Sequence, residues 1–158
     1  MTLYLVAVGR VRDTALRGAC ETYIRRIRRY MRLELKEVRE AGRRERDAKA
    51  ARRIEGDTLL AAIPAQVRIF TLTRRGKACT SEAFAELLER WRHQGRDVAL
   101  VIGGAHGLDR RVLDQSEGEI SLGQLTLPHE LARLVLLEQV YRACTILRGE
   151  PYHKGSGP

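Results

Sequence analysis

The spacing of apolar residues along the chain predicts alternating strands and helices. Short apolar runs at 3–8, 67–72 and 98–102 have the length of buried strands. From Thr14 to Tyr30 apolar residues recur every three or four positions, which is typical of a helix with one buried face. A less regular alternation over 33–38 predicts a further strand. This order of elements predicts an α/β fold with a mainly parallel sheet flanked by helices.

The second half of the chain carries the clearer helix boundaries. Thr80 or Ser81 can cap a helix that ends at Gly95, where a left-handed residue is favoured. A short helix is predicted near 110–115, an apolar segment follows over 120–127, and a long helix runs from about 130 to 147. Because no repeat, low-complexity segment or linker interrupts the pattern, residues 1–158 are predicted to form a single domain.

The charge is distributed unevenly along the chain. Residues 1–78 hold 20 Lys and Arg against 9 Asp and Glu, whereas residues 79–158 hold 9 against 11. Arginine supplies 25 of the 29 cations, and its guanidinium binds phosphate in a bidentate manner. The first half therefore predicts a polyanion-binding face. A membrane surface is the weaker alternative, because the basic helices carry no bulky aromatic face.

Several functional classes are disfavoured by what the sequence lacks. No apolar run approaches the roughly 20 residues of a membrane span, and no basic leader precedes the first strand, so we expect a cytoplasmic protein. Cys20, Cys79 and Cys144 are far apart, and no two histidines share a short spacing. We therefore expect neither a disulfide framework nor a metal site.

A glycine-rich loop follows the strand at 98–102 and is the first candidate site. Residues 103–107 read Gly-Gly-Ala-His-Gly, and residues without a β-carbon let a ligand approach the backbone. The loop lacks the G-x-G-x-x-G and G-K-[ST] spacings, so neither a dinucleotide nor ATP is indicated. Taken alone, it is equally consistent with a tight structural turn.

Three further segments carry candidate chemistry. The apolar segment 122–129 contains one glycine and one amide and could instead be an edge strand with a bulge. The tail 151–154 brings Tyr152 and His153 together, and these side chains suit proton transfer near neutral pH, although tails are usually just solvated. On the final helix, Glu138 and Arg142 are spaced as an ordinary surface ion pair, with Arg133 nearby.

Taken together and in order, four motifs resemble those of the RlmH family of SPOUT-class methyltransferases. Members of this family methylate N3 of a pseudouridine in bacterial large-subunit rRNA. The resemblance spans nearly the whole chain. The motifs are Leu-Tyr-Leu-Val-Ala-Val-Gly at 3–9, Val-Ile-Gly-Gly-x-x-Gly-Leu at 101–108, Leu-Thr-Leu-Pro-His at 125–129, and Glu-Gln-Val-Tyr-Arg-Ala at 138–143 with Arg-Gly-Glu-Pro-Tyr-His-Lys at 148–154.

The resemblance implies a fold and a cofactor that local patterns do not. It implies a SPOUT-type fold whose C-terminal portion is threaded as a trefoil knot, a feature rare enough that periodicity would not suggest it. The knot region would bind S-adenosylmethionine, with backbone groups pairing with the adenine edge and leucines covering its faces. The residues that the resemblance assigns to cofactor binding are Leu72, Gly103, Leu122, Gly123, Gln124, Leu125, Thr126 and Leu127.

The resemblance also implies a homodimer in which the tail of one subunit reaches the cofactor of the other. On this interpretation His153 is the general base or orienter, while Tyr152 and Arg142 position the target base or stabilise its anion. The arginines of the first half would bind rRNA phosphates. Two departures stand out: Thr73 occupies a position where an acidic residue is expected, and the chain continues past Lys154 with Gly-Ser-Gly-Pro.

Rival interpretations remain open on the sequence. A non-catalytic RNA-binding or ribosome-assembly protein would use the same basic face and bind no S-adenosylmethionine. A nucleotide-dependent small-molecule enzyme would fit the α/β pattern but leave the basic half without a role. A methyltransferase with another RNA target would have similar cofactor loops.

Overall fold

The computed structural model describes residues 1–41 and 47–152, and its strands form one sheet. The strands are β1 (Thr2–Val8), β2 (Arg32–Val38), β3 (Arg68–Ala78), β4 (Val98–Ile102) and β5 (Gly118–Ser121). The helices are α1 (Thr14–Ile27), α2 (Ala48–Ala62), α3 (Ser81–His93), α4 (Arg110–Asp114) and α5 (His129–Leu147).

The sheet has the order β2-β1-β4-β3-β5, and each neighbouring pair of these strands is parallel. The predicted α/β class with flanking helices is therefore confirmed. Central strands β1 and β4 are almost fully buried, as expected for strands covered on both faces. In a parallel sheet the carboxyl ends of all strands lie at one edge, and this edge positions the loops described below.

Helices cover both faces of the sheet. Leu3 and Leu5 of β1 join the larger core, which is completed by residues of α1, α3 and α5, while Val6 and Val8 face the smaller core against α2 and α4. Trp91 of α3 is 1% exposed and anchors the larger core. The alternation along β1 thus divides its side chains between two helical layers.

The predicted boundaries of α3 are confirmed. Thr80 accepts a hydrogen bond from the backbone N–H of Ala83 through its hydroxyl, and Gly95 lies at φ +67° just after the helix. Helix α1 was predicted to reach Tyr30 but ends at Ile27, because the chain there turns into β2 through hydrogen bonds from Tyr30 and Met31 to the carbonyl of Ile27.

Strand β3 is longer than the sequence predicted. A basic turn was expected after Leu72, yet the strand continues to Ala78 through a bulge, since both Leu72 and Lys77 pair with Ile120. Gly76 makes this possible, because a Cβ there would lie 2.6 Å from the carbonyl carbon of Ile120. The charged residues of the bulge have no period-two apolar pattern, so the extension was not visible in the sequence.

The segment 122–128 is a loop, so the alternative of a bulged edge strand is wrong. Strand β5 ends at Ser121, whose hydroxyl donates to the carbonyl of Gly123 and accepts from its N–H. Gly123 lies at φ +133°, which side chains disfavour. These local bonds replace the sheet pairing that a strand would need.

Neither a membrane-spanning helix nor a metal-binding group of side chains is found among the described residues. Among residues 1–41 and 47–152 no helix is long and apolar enough to cross a membrane. The same ranges contain no group of three His, Cys, Asp or Glu side chains that could hold a metal ion.

Candidate functional site

A cavity of about 1040 Å³ opens at the carboxyl edge of the sheet, and we refer to it as the main cavity. Its walls come from the β3 bulge, the glycine loop after β4, the loop 122–128 and the first turn of α5. These segments meet because parallel strands end at the same edge.

Seven of the eight residues assigned to cofactor binding line this cavity. Gln124 is exposed and does not line it, because the turn at Gly123 directs the chain outwards at this point. Leu125 is 82% exposed at the rim of the cavity. The seven lining residues are Leu72, Gly103, Leu122, Gly123, Leu125, Thr126 and Leu127.

The glycine loop is both a tight turn and a wall of the cavity. The N–H of Gly107 donates to the carbonyl of Gly104 at 3.0 Å, and Gly107 lies at φ +81°. A Cβ on Gly103 would lie 2.8 Å from the carbonyl carbon of Gly107. The two interpretations of the loop are therefore compatible, because the packing that makes the turn also leaves its backbone facing the cavity.

Glu55 supports this loop from behind and was not identified from the sequence. Its side chain is 6% exposed, and a Cβ on Gly104 would lie 2.6 Å from its Oε2. Its Oε1 accepts a hydrogen bond from the N–H of Ala41 at 3.0 Å. Glu55 thus connects the end of β2 to the cavity wall, a contact between residues too distant in sequence to be predicted.

Charged side chains at the mouth of the cavity are mostly basic. Arg74 donates to the hydroxyl of Thr126 at 2.9 Å, which joins the β3 bulge to the loop 122–128. Arg52 reaches the carbonyl of His106 at 3.4 Å, and Arg75 also lines the cavity. The basic turn predicted after Leu72 therefore contributes its arginines to the cavity, although its backbone belongs to a strand.

A second group of side chains lies between α1, α5 and the C-terminal residues, and we call it the tail cluster: Tyr23, Glu138, Tyr141, Arg142 and Tyr152. Arg142 donates from Nε and Nη2 to Oε1 of Glu138, at 3.0 and 2.7 Å. Tyr152 donates to the same oxygen at 3.1 Å, and its ring lies 5.0 Å from the Arg142 guanidinium. The pair predicted as an ordinary surface ion pair is half-buried and shared with the tail.

Burial and hydrogen bonding raise the pKa values of two side chains in the tail cluster, Tyr152 and Arg142. Burial raises the pKa of Tyr152 well above its ordinary value, and the hydrogen bond with Tyr23 and the nearby Glu138 carboxylate add to this. The hydrogen bond to Glu138 likewise raises the pKa of Arg142. Near neutral pH Tyr152 is therefore a neutral hydrogen-bond donor, and Arg142 is a fixed cation.

The C-terminal residues are attached to α1 at a second point. The Tyr30 hydroxyl donates to Glu150 at 2.5 Å, and this bond raises the pKa of Tyr30 to about 12. Gly149 turns the chain at φ +67°, and the N–H of Glu150 donates a hydrogen bond to the carbonyl of Thr145. The direction in which the tail leaves α5 is therefore set by contacts that no local pattern predicted.

The tail cluster and the main cavity do not meet in the chain. The cavity reaches Ala132 on α5, whereas the tail cluster begins at Glu138, roughly 9 Å further along the helix. Neither Arg142 nor Tyr152 lines the cavity, and His153 lies outside the described residues. The structure thus brings together most of the predicted cofactor residues but separates them from Arg142 and Tyr152.

Arg133, a further candidate on the final helix, belongs to the core. Its side chain is 1% exposed, forms an ion pair with Glu37 at 2.5 Å and donates to the carbonyls of Val8 and Gly9. It joins α5 to the ends of β1 and β2. Its role is therefore structural.

Comparison with known proteins agrees with this architecture. Residues 1–153 match the model of a family described as predicted SPOUT methyltransferase. The chain is 53% identical to the ribosomal RNA large subunit methyltransferase H of Anaeromyxobacter sp. (strain Fw109-5), over 98% of this chain and 100% of that protein. It is 42% identical, over the same shares, to the protein of that name from Gemmatimonas aurantiaca (strain DSM 14586 / JCM 11422 / NBRC 100505 / T-27).

A solved structure supports the fold independently. The structure of a probable methylase family protein from Haemophilus influenzae Rd KW20 aligns with a TM-score of 0.55 and 11% identity, over 99% of this chain and 71% of that chain. At this identity the likeness concerns the fold alone. Together with the family match over nearly its whole length, these findings establish that the chain belongs to the SPOUT methyltransferase family.

Proposed function

We propose that this protein transfers the methyl group of S-adenosylmethionine to N3 of a pseudouridine in large-subunit rRNA. The observation that carries the proposal is the main cavity, where the glycine loop and the leucine-rich loop 122–128 face each other. Membership of a methyltransferase family and the names of two relatives, 42% and 53% identical, support the reaction and the substrate class.

The residues around the main cavity fit S-adenosylmethionine. Pockets for small ligands are commonly about 300–1000 Å³ and mainly apolar, and the volume of this cavity, about 1040 Å³, lies just above that range. Leu72, Leu122 and Leu127 offer apolar surface for an adenine, and the close packing at Gly103 leaves backbone groups for its polar edge. When bound, the donor would supply a methyl group already activated by a sulfonium.

The protein's own contribution would be to orient the target base and remove its N3 proton. Because the raised pKa of Tyr152 keeps its phenol protonated, this side chain is suited to donate a hydrogen bond to the base. Arg142 is suited to stabilise the developing anion on the base. The proton acceptor is then His153, whose ordinary pKa lies near neutrality.

The separation of the two groups of residues favours a homodimer. Every residue of α5 is buried or half-buried. Leu131, Leu134 and Val135 are apolar but only half-buried, so each leaves part of its side chain exposed on this helix. A second copy packed on this helix would cover them and carry its tail cluster towards the cavity of its partner. The active site would then be composite.

The basic first half supports rRNA as the substrate. Arg10 and Arg12 follow β1, and Arg39 follows β2, so these side chains lie at the same edge of the sheet as the main cavity. Arginines there can bind phosphates while a base enters the cavity. Such binding would weaken steeply with salt, because each phosphate contact releases a counterion.

The trefoil knot is part of the same proposal. After β5, at one edge of the sheet, the chain returns through the loop 122–128 to place α5 against both α1 and α3. This return supports a path in which the C-terminal segment passes through the loops around the main cavity. A backbone trace from a crystal structure tests it, and an unthreaded trace would contradict it.

The reaction is tested by incubating the pure protein with labelled S-adenosylmethionine and ribosomes from a strain that lacks the methylation. The label is expected at one pseudouridine of the large-subunit rRNA, and ribosomes without prior pseudouridylation separate a requirement for that isomer from methylation of uridine. A non-catalytic RNA-binding protein would bind the ribosome and leave no label. His153→Ala is the companion variant and is expected to keep donor binding while losing transfer.

A further inference from the structure

Glu119 places a carboxylate on the wall of the main cavity. It lies on edge strand β5, and its Oε2 accepts a hydrogen bond from the Thr73 hydroxyl of the β3 bulge at 2.6 Å. Thr71 and Glu119 are register partners, so Thr73 is a diagonal neighbour across the two strands. Among the described residues that line the cavity, Glu119 is the one acid beside Arg52, Arg74 and Arg75.

The arginines around the cavity do not neutralise this carboxylate. Arg74 is engaged with the Thr126 hydroxyl and Arg52 with the carbonyl of His106. Within residues 1–41 and 47–152, Glu119 takes part in no ion pair, and its hydrogen bond to Thr73 involves a neutral hydroxyl. Its negative charge is therefore free to act on a ligand in the cavity.

We propose that Glu119 is a specificity-determining residue that favours the cationic methyl donor over its neutral-sulfur product. This inference rests on the proposed function. S-adenosylmethionine carries one more positive charge than S-adenosylhomocysteine, and the three arginines of the cavity oppose that charge. A carboxylate on the same wall offsets their field, so its loss weakens binding of the donor more than binding of the product.

The neighbouring position 73 offers a way to relocate the charge. Thr73 stands where the sequence resemblance leads one to expect an acidic residue, and its side chain touches Glu119. An aspartate at position 73 would therefore restore a carboxylate within a few ångströms of the original one. Because Glu119 is exposed and Thr73 is half-buried, neither substitution removes a core side chain.

The test is isothermal titration of the intact protein with S-adenosylmethionine and, separately, with S-adenosylhomocysteine. In Glu119→Gln we expect the Kd of the donor to rise by about tenfold and that of the product by less than about twofold, as expected for one charge acting across several ångströms near the surface. Adding Thr73→Asp to this variant is expected to restore most of the donor's affinity.

Glu117→Gln is the matched control. It removes the same charge two residues away, but Glu117 pairs with Arg68 and does not line the cavity, so both affinities are expected to stay within about twofold of the wild type. Unchanged binding in Glu119→Gln, or equal loss for donor and product, would overturn the inference and leave the proposed function standing. A wild-type protein that bound neither ligand would instead overturn the proposed function itself.

Discussion

Replacing Arg133 by methionine is expected to destabilise the fold by about 3 kcal/mol, because it removes one side of a buried ion pair. Arg133 is 1% exposed, and its guanidinium contacts Glu37 together with the carbonyls of Val8 and Gly9. Methionine fills much of the same space, so little of the loss would come from a cavity.

The magnitude follows from the contacts that Glu37 and the two carbonyls lose, since Glu37 would keep a long ion pair with the exposed Arg10, at 3.9 Å. Breaking a buried ion pair by removing one member costs about 3–5 kcal/mol. The Glu37 side chain is 28% exposed, so water would solvate part of its charge and hold the cost near the lower end. The carbonyls of Val8 and Gly9 also lose the Arg133 donor, and this loss adds to the cost of the substitution.

Urea unfolding followed by the fluorescence of Trp91, at fixed protein concentration, measures this loss. Arg148→Met is the control, because Arg148 is exposed just after the same helix, and it is expected to change the free energy of unfolding by less than about 0.5 kcal/mol. In a double-mutant cycle with Glu37→Gln, the loss of unfolding free energy in the double variant should differ from the sum of the two single losses by at least about 1 kcal/mol. A loss below about 1 kcal/mol in Arg133→Met, or additive effects, would refute this account of the core.

Three further predictions follow from single contacts. Gly76→Ala should lower the free energy of unfolding in urea by about 1–3 kcal/mol, because its Cβ would meet the backbone of Ile120; an unchanged midpoint would contradict this. The hydrogen bond from Arg111 lowers the pKa of Asp109 in the folded protein. The ionised Asp109 therefore stabilises the fold above its ordinary pKa of 3.8, and this contribution is lost as the pH falls through the lower pKa of the folded state. Asp109→Asn should thus have a lower free energy of unfolding than the wild type at pH 7 and the same free energy of unfolding in strong acid. A difference that persists in strong acid would contradict this prediction. Tyr152→Phe should lower kcat yet keep the acidic limb of the pH–rate profile, since the raised pKa keeps the phenol protonated; loss of that limb would identify Tyr152 as the base.

The parts of the fold that follow local rules could be predicted from the sequence. The cap at Thr80, the stop at Gly95 and the buried strand 98–102 each depend on neighbouring residues, and the structure confirms them. The α/β class follows from the order of such elements. Seven residues of the cavity wall were also identified, although by resemblance to a family and not by periodicity.

Contacts between distant residues could not be predicted. The bulge in β3 exists because Leu72 and Lys77 share one partner on β5, and the end of β5 depends on hydrogen bonds around Gly123. The sequence offered Arg133 as a functional candidate on the final helix, whereas its partner is Glu37, 96 positions away. Such pairings depend on how the helices pack, which single-sequence patterns do not encode.

The mixing of two inactive variants tests most directly whether the active site is shared between subunits. Gly103→Ala would disturb the glycine loop, since its Cβ would lie 2.8 Å from the carbonyl carbon of Gly107, and His153→Ala would remove the proposed base. After unfolding and joint refolding, half of the dimers would be mixed, and each would hold one site with both parts intact. The account predicts methyl transfer to rRNA at about one quarter of the wild-type rate. No recovery above the separate variants, although mixed dimers form, would contradict it.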